Sequence, residues 1–215
     1  KNSYRSQITG DWVAGPETLS EEELGANRSE PGNTRSTAKL ATDDYWDARI
    51  PDLSKVEVPL FSAGNWGGHG LHLRGNIEGF LGAASDQKWL EVHGGAHWTH
   101  FYTEHGRELQ KKFFGHFLKD ETTGWDEQPP VQLQVRHPGE EFEERDEEEW
   151  PIPRTDWTRY YLDADGRRFA PEQPEPSASV TYDALGDGIT FLTEPLGEET
   201  ELTGPISENL FVESD

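Results

Sequence analysis

Apolar residues recur with two different periods along this chain. From Val56 the run VEVPLFSAG is apolar and closes on Gly, as a strand covered on both faces does. GLHLRGNIEGFLGAAS then places Leu73, Ile77, Phe80, Leu81 and Ala84 at helical spacing. KWLEVHGG reads as a second buried strand, and TEHGRELQKKFFGHFLKD aligns Leu109, Phe113 and Phe117 on one stripe of a second amphipathic helix. Strand, helix, strand, helix predicts a βαβα unit, hence a parallel sheet with right-handed crossover.

After Gly124 the period drops to two. VQLQVRH, TRYYLD, SVTYDAL, GITFLT and ENLFVES are short alternating segments parted by Pro, Gly and acidic turns, which predicts a separate all-β domain, a sandwich or jelly roll short of its later strands. PGEEFEERDEEEWPIP is expected to be a solvated loop. Residues 1–55 are mostly polar: Ser20 with Glu23 forms a capping-box pattern, SEPGNTRST is turn material, and DDYWDARIPDLSKVEVP gathers Tyr45, Trp46 and Ile50 before a Pro boundary.

Composition narrows the chemistry. The 215 residues hold 42 acidic against 19 basic side chains, a net charge of -23, which disfavours nucleic acid and anionic membranes as partners. An acid-rich, Lys-poor surface also fits a protein kept soluble in high salt. Cysteine is absent, which removes disulfides, thiolate nucleophiles and Cys-ligated metals. No apolar run is long enough to span a bilayer, and KNSYRSQITG lacks the apolar stretch of a signal peptide. The chain begins at Lys1, contains no Met, and ends on the alternation of Leu210 and Val212 without a turn; it is expected to be a piece of a longer product. Compartment stays open, with a slight lean to the cytoplasm.

Two loops carry the candidate chemistry. GNWGGHG and HGGAHWTH each follow a strand of the parallel unit, where open α/β sheets hold their reactive groups. Trp66 and Trp98 are placed to wall a shared pocket. Three histidines fall in EVHGGAHWTH. A metal reading takes His93, His97 and His100, with His69 or His72 from the neighbouring loop, but two glycines part His93 from His97 and the helical spacing that would make them chelate is missing. A general-base reading needs His97 alone, on the loop after the last strand. A bland reading leaves all three as polar loop residues. His93 and His100 read as supporting rather than catalytic, and His116 and His137 take no role. Trp98 and Tyr102 are placed to line an acyl or side-chain pocket. The nucleophile-elbow pattern G-x-S-x-G does not occur.

The stretches DDYWDARIPDLSKVEVPLFSAGNWGGHGLHLRGNIEGF, KWLEVHGGAHWTHFY, QKKFFGHFLKDETTGWDEQPPVQLQVR, EEEWPIPRTDWTRYYLD and ETELTGPISENLFVES resemble, in order, the cocaine-esterase and Xaa-Pro dipeptidyl-peptidase group known as CocE/NonD hydrolases. The resemblance implies the end of a helical cap over residues 1–55, the C-terminal part of an α/β-hydrolase core over 56–122, and the start of a jelly-roll β-sandwich, truncated, over 123–215. It puts the catalytic histidine at His97. The chemistry it implies is acyl transfer to a serine outside this chain, with Trp66, Trp98 and Tyr102 near the substrate and no cofactor. The expected partner is a small-molecule ester or X-Pro peptide substrate, and homo-oligomerisation stays open. The family's acid sits at the end of a G-G-W-x-D turn, which here reads Gly64, Asn65, Trp66, Gly67, Gly68. Gly68 stands where aspartate is expected, which leaves three alternatives open: a substitute acid, with Glu78 and Asp86 as unproven candidates, a group outside this chain, or a dyad without an acid. The rival readings are a metal-dependent hydrolase using His93, His97 and His100, and a non-catalytic β-sandwich binding module.

Overall fold

The computed structural model describes residues 5–6, 8–12, 18–28, 44–68 and 70–213. The SEPGNTRST turn, His69 and the side chain of Tyr45 lie outside that description. The chain divides into two compact units, Lys1–Pro51 and Asp52–Asp215.

In the first unit, α1 (Glu21–Ala26) starts as its sequence predicts. The Ser20 side chain accepts from the Glu23 backbone N–H while the Glu23 carboxylate accepts from the Ser20 N–H, satisfying two helix-end donors reciprocally. A one-turn helix, α2 (Asp44–Asp47), follows.

The second unit is built on one four-stranded sheet, in the order β1 (Leu60–Asn65), β2 (Lys88–His93), β3 (Val131–His137), β4 (Glu141–Glu147). β1, β2 and β3 run parallel, and β4 returns antiparallel against β3. The βαβα expectation holds: α3 (Leu73–Gly82) links β1 to β2, and α4 (Thr99–Tyr102) and α5 (Glu104–Lys119) link β2 to β3.

The alternation of β2 distributes its side chains to two cores. Leu90 and Val92 point to the face covered by Leu73, Ile77 and Phe80 of α3, where Val131, Leu133, Trp150 and Ile152 complete the cluster. Trp89 points to the other face, with Phe61, Leu109, Phe113, Phe117 and Trp125. Three layers result, helix on sheet on helix. A side chain such as Leu90 or Val131, wholly removed from water, contributes about 1.5–3 kcal/mol.

The C-terminal half differs from its sequence reading in three respects. VQLQVRH, expected to open a separate β domain, instead adds to the α/β sheet as β3, because β2 is buried on both faces and needs a partner along both edges. The acidic run expected to be a loop supplies β4, an edge strand whose Glu and Asp side chains leave one side chain, Glu147, buried; charged edges discourage pairing with other chains. Beyond it a hairpin of β5 (Tyr161–Asp163) and β6 (Arg168–Ala170) forms, joined to Leu192 by an isolated bridge. Among the described residues SVTYDAL and ENLFVES form no strand, and Leu185 and Phe211 are almost wholly exposed. A lone hairpin has no second sheet against which such residues can be buried. The hairpin's surroundings are tied back to β4 by ion pairs: buried Glu147 meets Arg145 and Arg154, and Arg145 also meets Glu201 at 2.8 Å.

Candidate active site

The carboxyl ends of β1 and β2 lie side by side, with Asn65 paired to His93 in register. The loops that leave these ends therefore share one edge of the sheet. Asn65 is buried, and its Nδ2 donates toward the carbonyls of His93, Gly94 and Gly95, each at 3.2 Å. From β3, Gln134 accepts the Gly94 N–H on its side-chain oxygen and the Trp66 indole N–H on its carbonyl. Both loops are thus fastened to the sheet before they reach their histidines. Gly94 has no room for a side chain, since a Cβ there would collide with the Phe142 ring. Gly95 takes φ 73°, a conformation that favours glycine.

Past this fastened base the loop exposes His97. Its ring stacks on His72, centroids 5.0 Å apart, and meets Trp98 edge-on. His72 and His97 border an open depression with Ser62, Ala63, Leu71, Gly75 and Asn76. A Cβ built on Gly68 would lie 3.3 Å from His97 Nδ1. Position 68 therefore faces the nitrogen that an orienting carboxylate would hold. Among the described residues no hydrogen bond reaches the His97 imidazole, and no acidic side chain borders the depression.

The other two histidines of the motif point elsewhere. Glu91 and His93, two residues apart on β2, share the face covered by α4 and α5, and His100 comes down from α4. His93 Nδ1 lies 2.9 Å from Glu91 Oε2, and His100 Nε2 lies 3.2 Å from Oε1. The two imidazoles stack with centroids 4.1 Å apart. Burial pushes the Glu91 carboxyl up, but the contacts and charge of His100 and His93 outweigh it and hold the group below its ordinary value. Glu91 in turn raises the His100 imidazole above its ordinary value, against partial burial.

The X-Pro dipeptidyl-peptidase C-terminal non-catalytic domain matches residues 123–215. Two crystal structures of a CocE/NonD family hydrolase from Staphylococcus aureus are similar to this chain at 34% and 33% identity, with TM-scores of 0.62 and 0.61. Each comparison covers 66% of this chain and 26% of the hydrolase, so the chain spans about a quarter of that protein's length. Among curated proteins nothing matches. The chain is thus similar to CocE/NonD family hydrolases over about two thirds of its length and to the X-Pro peptidase C-terminal domain over residues 123–215. Its mixed sheet and its domain match fit the C-terminal part of such a hydrolase.

The site residues expected from the sequence separate into groups. Of the three histidines read as a metal set, His97 stands apart, on the exposed rim beside Gly68 and His72, while His93 and His100 converge on Glu91. Trp98 and Tyr102 are 67% and 69% exposed, Trp98 against His97 and Tyr102 against Phe101. Trp66 is half-buried against the α3-side core, its N–H spent on Gln134. Neither substitute acid is beside His97. Glu78 is exposed on α3, 3.6 Å from Arg74, and Asp86 precedes β2 whereas His97 follows it, a separation of six strand residues at roughly 3.3 Å each.

Sequence reading overlooked Glu91 and Asn65. A charged residue inside the apolar run KWLEVH was the available signal, because carboxylates are rarely buried without partners. Asn65 gave a weaker one: it replaces the second glycine of the family's G-G-W-x-D turn.

Proposed function

We propose that this chain supplies the general base of a serine hydrolase of the CocE/NonD type, which cleaves ester bonds or the amide following an X-Pro dipeptide through an acyl-enzyme. The observation that carries the reading is His97: an exposed imidazole beyond the carboxyl ends of two parallel strands, its Nδ1 facing position 68. The nucleophilic serine comes from residues other than these, since no elbow motif occurs in the chain.

In this reaction a serine Oγ attacks the substrate carbonyl carbon while His97 Nε2 takes the hydroxyl proton. The C–O or C–N bond then breaks, and the imidazolium returns the proton to the departing alcohol or amine. Water repeats the sequence with the acyl group as target, releasing the acid and restoring the serine. Trp98 and Tyr102 line the approach, and Trp66 holds the first loop in place. With glycine at position 68, His97 acts without a carboxylate on its far nitrogen. It works as half of a dyad whose orientation rests on the His72 ring and on the loop fastened by Asn65.

The test uses an organophosphonate that phosphonylates activated serines. In the gene product that includes these residues, one serine is expected to be labelled, and His97→Ala is expected to slow labelling about 10³-fold or more. Labelling at an unchanged rate in that variant overturns the reading. The 215-residue chain alone is expected to leave a nitrophenyl ester at its background rate.

The description of the matched domain as non-catalytic favours a second reading for residues 123–215. In it, that region is a scaffold or binding module, and its removal lowers substrate affinity or stability while the labelling chemistry survives.

A further inference from the structure

The Glu91 cluster is unrelated to the chemistry of His97. Its carboxylate is almost completely buried, 5% exposed, on the central strand β2. One donor atom from each of Glu91, His93 and His100 lies within 4.8 Å of the others. The two ligands from β2 are rigidly spaced, two residues apart on one face, and the third comes from a separate element. Two imidazole nitrogens and one carboxylate oxygen form a donor set suited to zinc and its neighbours among divalent transition metals.

Two further observations point to a ligand rather than to an ion pair alone. The Nε2 atom of His93 is buried with no hydrogen-bond partner among the described residues, and that of His100, also buried, has only Glu91 Oε1, at 3.2 Å. Buried polar atoms in folded proteins are nearly always satisfied. Second, Glu91 opens onto a small cavity that is also lined by His105, Glu144, Gln132, Leu133 and Gln134. His105 is exposed, with its ring 5.2 Å from that of His100. The cavity gives an ion a way in, and His105, Glu144 or water can fill a fourth position.

We propose that Glu91, His93 and His100 bind one zinc-class divalent ion, which clamps β2 to the α4–α5 turn. Two bonds of about 2.1 Å at a tetrahedral angle place donor atoms about 3.4 Å apart, close to the 2.9 and 3.2 Å that separate Glu91 oxygens from His93 Nδ1 and His100 Nε2. Each imidazole must present a lone pair to the ion, so any proton held by His100 is released on binding. The proposal does not depend on the hydrolase reading, and its test leaves that reading untouched.

The experiment is a calorimetric titration of the chelator-treated full chain with Zn²⁺, with magnesium in excess to occupy the acidic surface. One equivalent is expected to bind, Glu91→Gln to weaken binding tenfold or more, and His97→Ala to change it less than twofold. Three outcomes overturn the proposal: no saturable site that survives magnesium, equal binding by wild type and Glu91→Gln, or equal loss in His97→Ala. Should Glu91→Gln fail to fold, His100→Gln carries the same expectation, and unchanged zinc affinity in it is equally decisive. Cobalt(II) gives a readout that needs no variant. An intense visible d–d band, saturating at one equivalent and abolished by zinc, is expected, and its absence counts against a four-coordinate site.

Discussion

His97 and His100 are three residues apart, yet they inhabit opposite kinds of environment. His100 lies under the α4–α5 turn with a buried carboxylate and a second imidazole packed against it, and its proton is held by Glu91. His97 stands on the rim with ring contacts to His72 and Trp98 and a glycine where a carboxylate would serve it. The Asn65 clamp marks the division: up to Gly95 the loop belongs to the sheet, and beyond it the chain is free to offer a side chain to solvent. The difference teaches that histidines in one short motif can be sorted by their partners. A paired, buried imidazole supports the fold, and an exposed one held only by ring contacts is left available for chemistry.

Breaking each site should therefore move a different observable. His97→Ala, in the gene product that contains the nucleophile, is expected to lower kcat for ester hydrolysis about 10³- to 10⁴-fold. Because the ring is exposed, the urea midpoint should shift by less than about 0.5 kcal/mol in equivalent stability. Glu91→Ala should do the reverse. It leaves two imidazoles without their acceptor, and since His100 can shed its proton, the cost is about 1–3 kcal/mol for unsatisfied groups. That is less than the roughly 3–5 kcal/mol expected when a buried charge is stranded. A variant at position 91 that lost turnover with unchanged stability would erase the distinction.

The same contrast explains what the sequence could reveal. Leu73, Ile77 and Phe80 keep one helical stripe, so α3 and its sheet were readable from spacing. Val131, Leu133 and Val135 alternate, which announces a strand with one covered face but says nothing about which sheet it joins; that depends on the open edge of β2, a tertiary fact. The charge run hid β4 for a similar reason, because an edge strand needs few apolar residues. At the site, His97 and the glycine at position 68 were legible from family-like motifs, and their contact required coordinates. Glu91 passed unnoticed because its partners His93 and His100 are supplied by a strand end and a separate turn.

A smaller effect sharpens the comparison by giving His97 what His100 already has. Gly68→Asp places a carboxylate beside His97 Nδ1, where the neighbouring ring must yield by a few tenths of an ångström. If the dyad lacks only orientation and charge stabilisation, kcat should rise by about tenfold, a fraction of the effect of a complete triad. Gly68→Asn, of equal size and without charge, should not reproduce the gain. Equal rates in both variants would mean that position 68 acts through shape alone.

The last contrast is between two buried carboxylates. Glu91 is matched by imidazoles, whereas Glu147 is matched by guanidiniums, which stay charged. The Arg154 hydrogen bonds at 2.6 Å and shorter, with charge from Arg154 and Arg145, outweigh burial and hold the Glu147 carboxyl below its ordinary value. A depressed carboxyl contributes stability above its unfolded pKa, about 4.3, and loses that contribution as pH falls through the folded value. Acid unfolding of the parent chain should therefore steepen below about pH 4.5, and Glu147→Gln should flatten that limb while leaving the slope near neutrality unchanged. Since Glu147 joins Arg154 and, through Arg145, Glu201 to β4, the variant should also loosen residues 148–213 first. Amide exchange that quickens there before it quickens in β2 would place the acid-sensitive joint at the end of the sheet and keep it separate from the histidine sites.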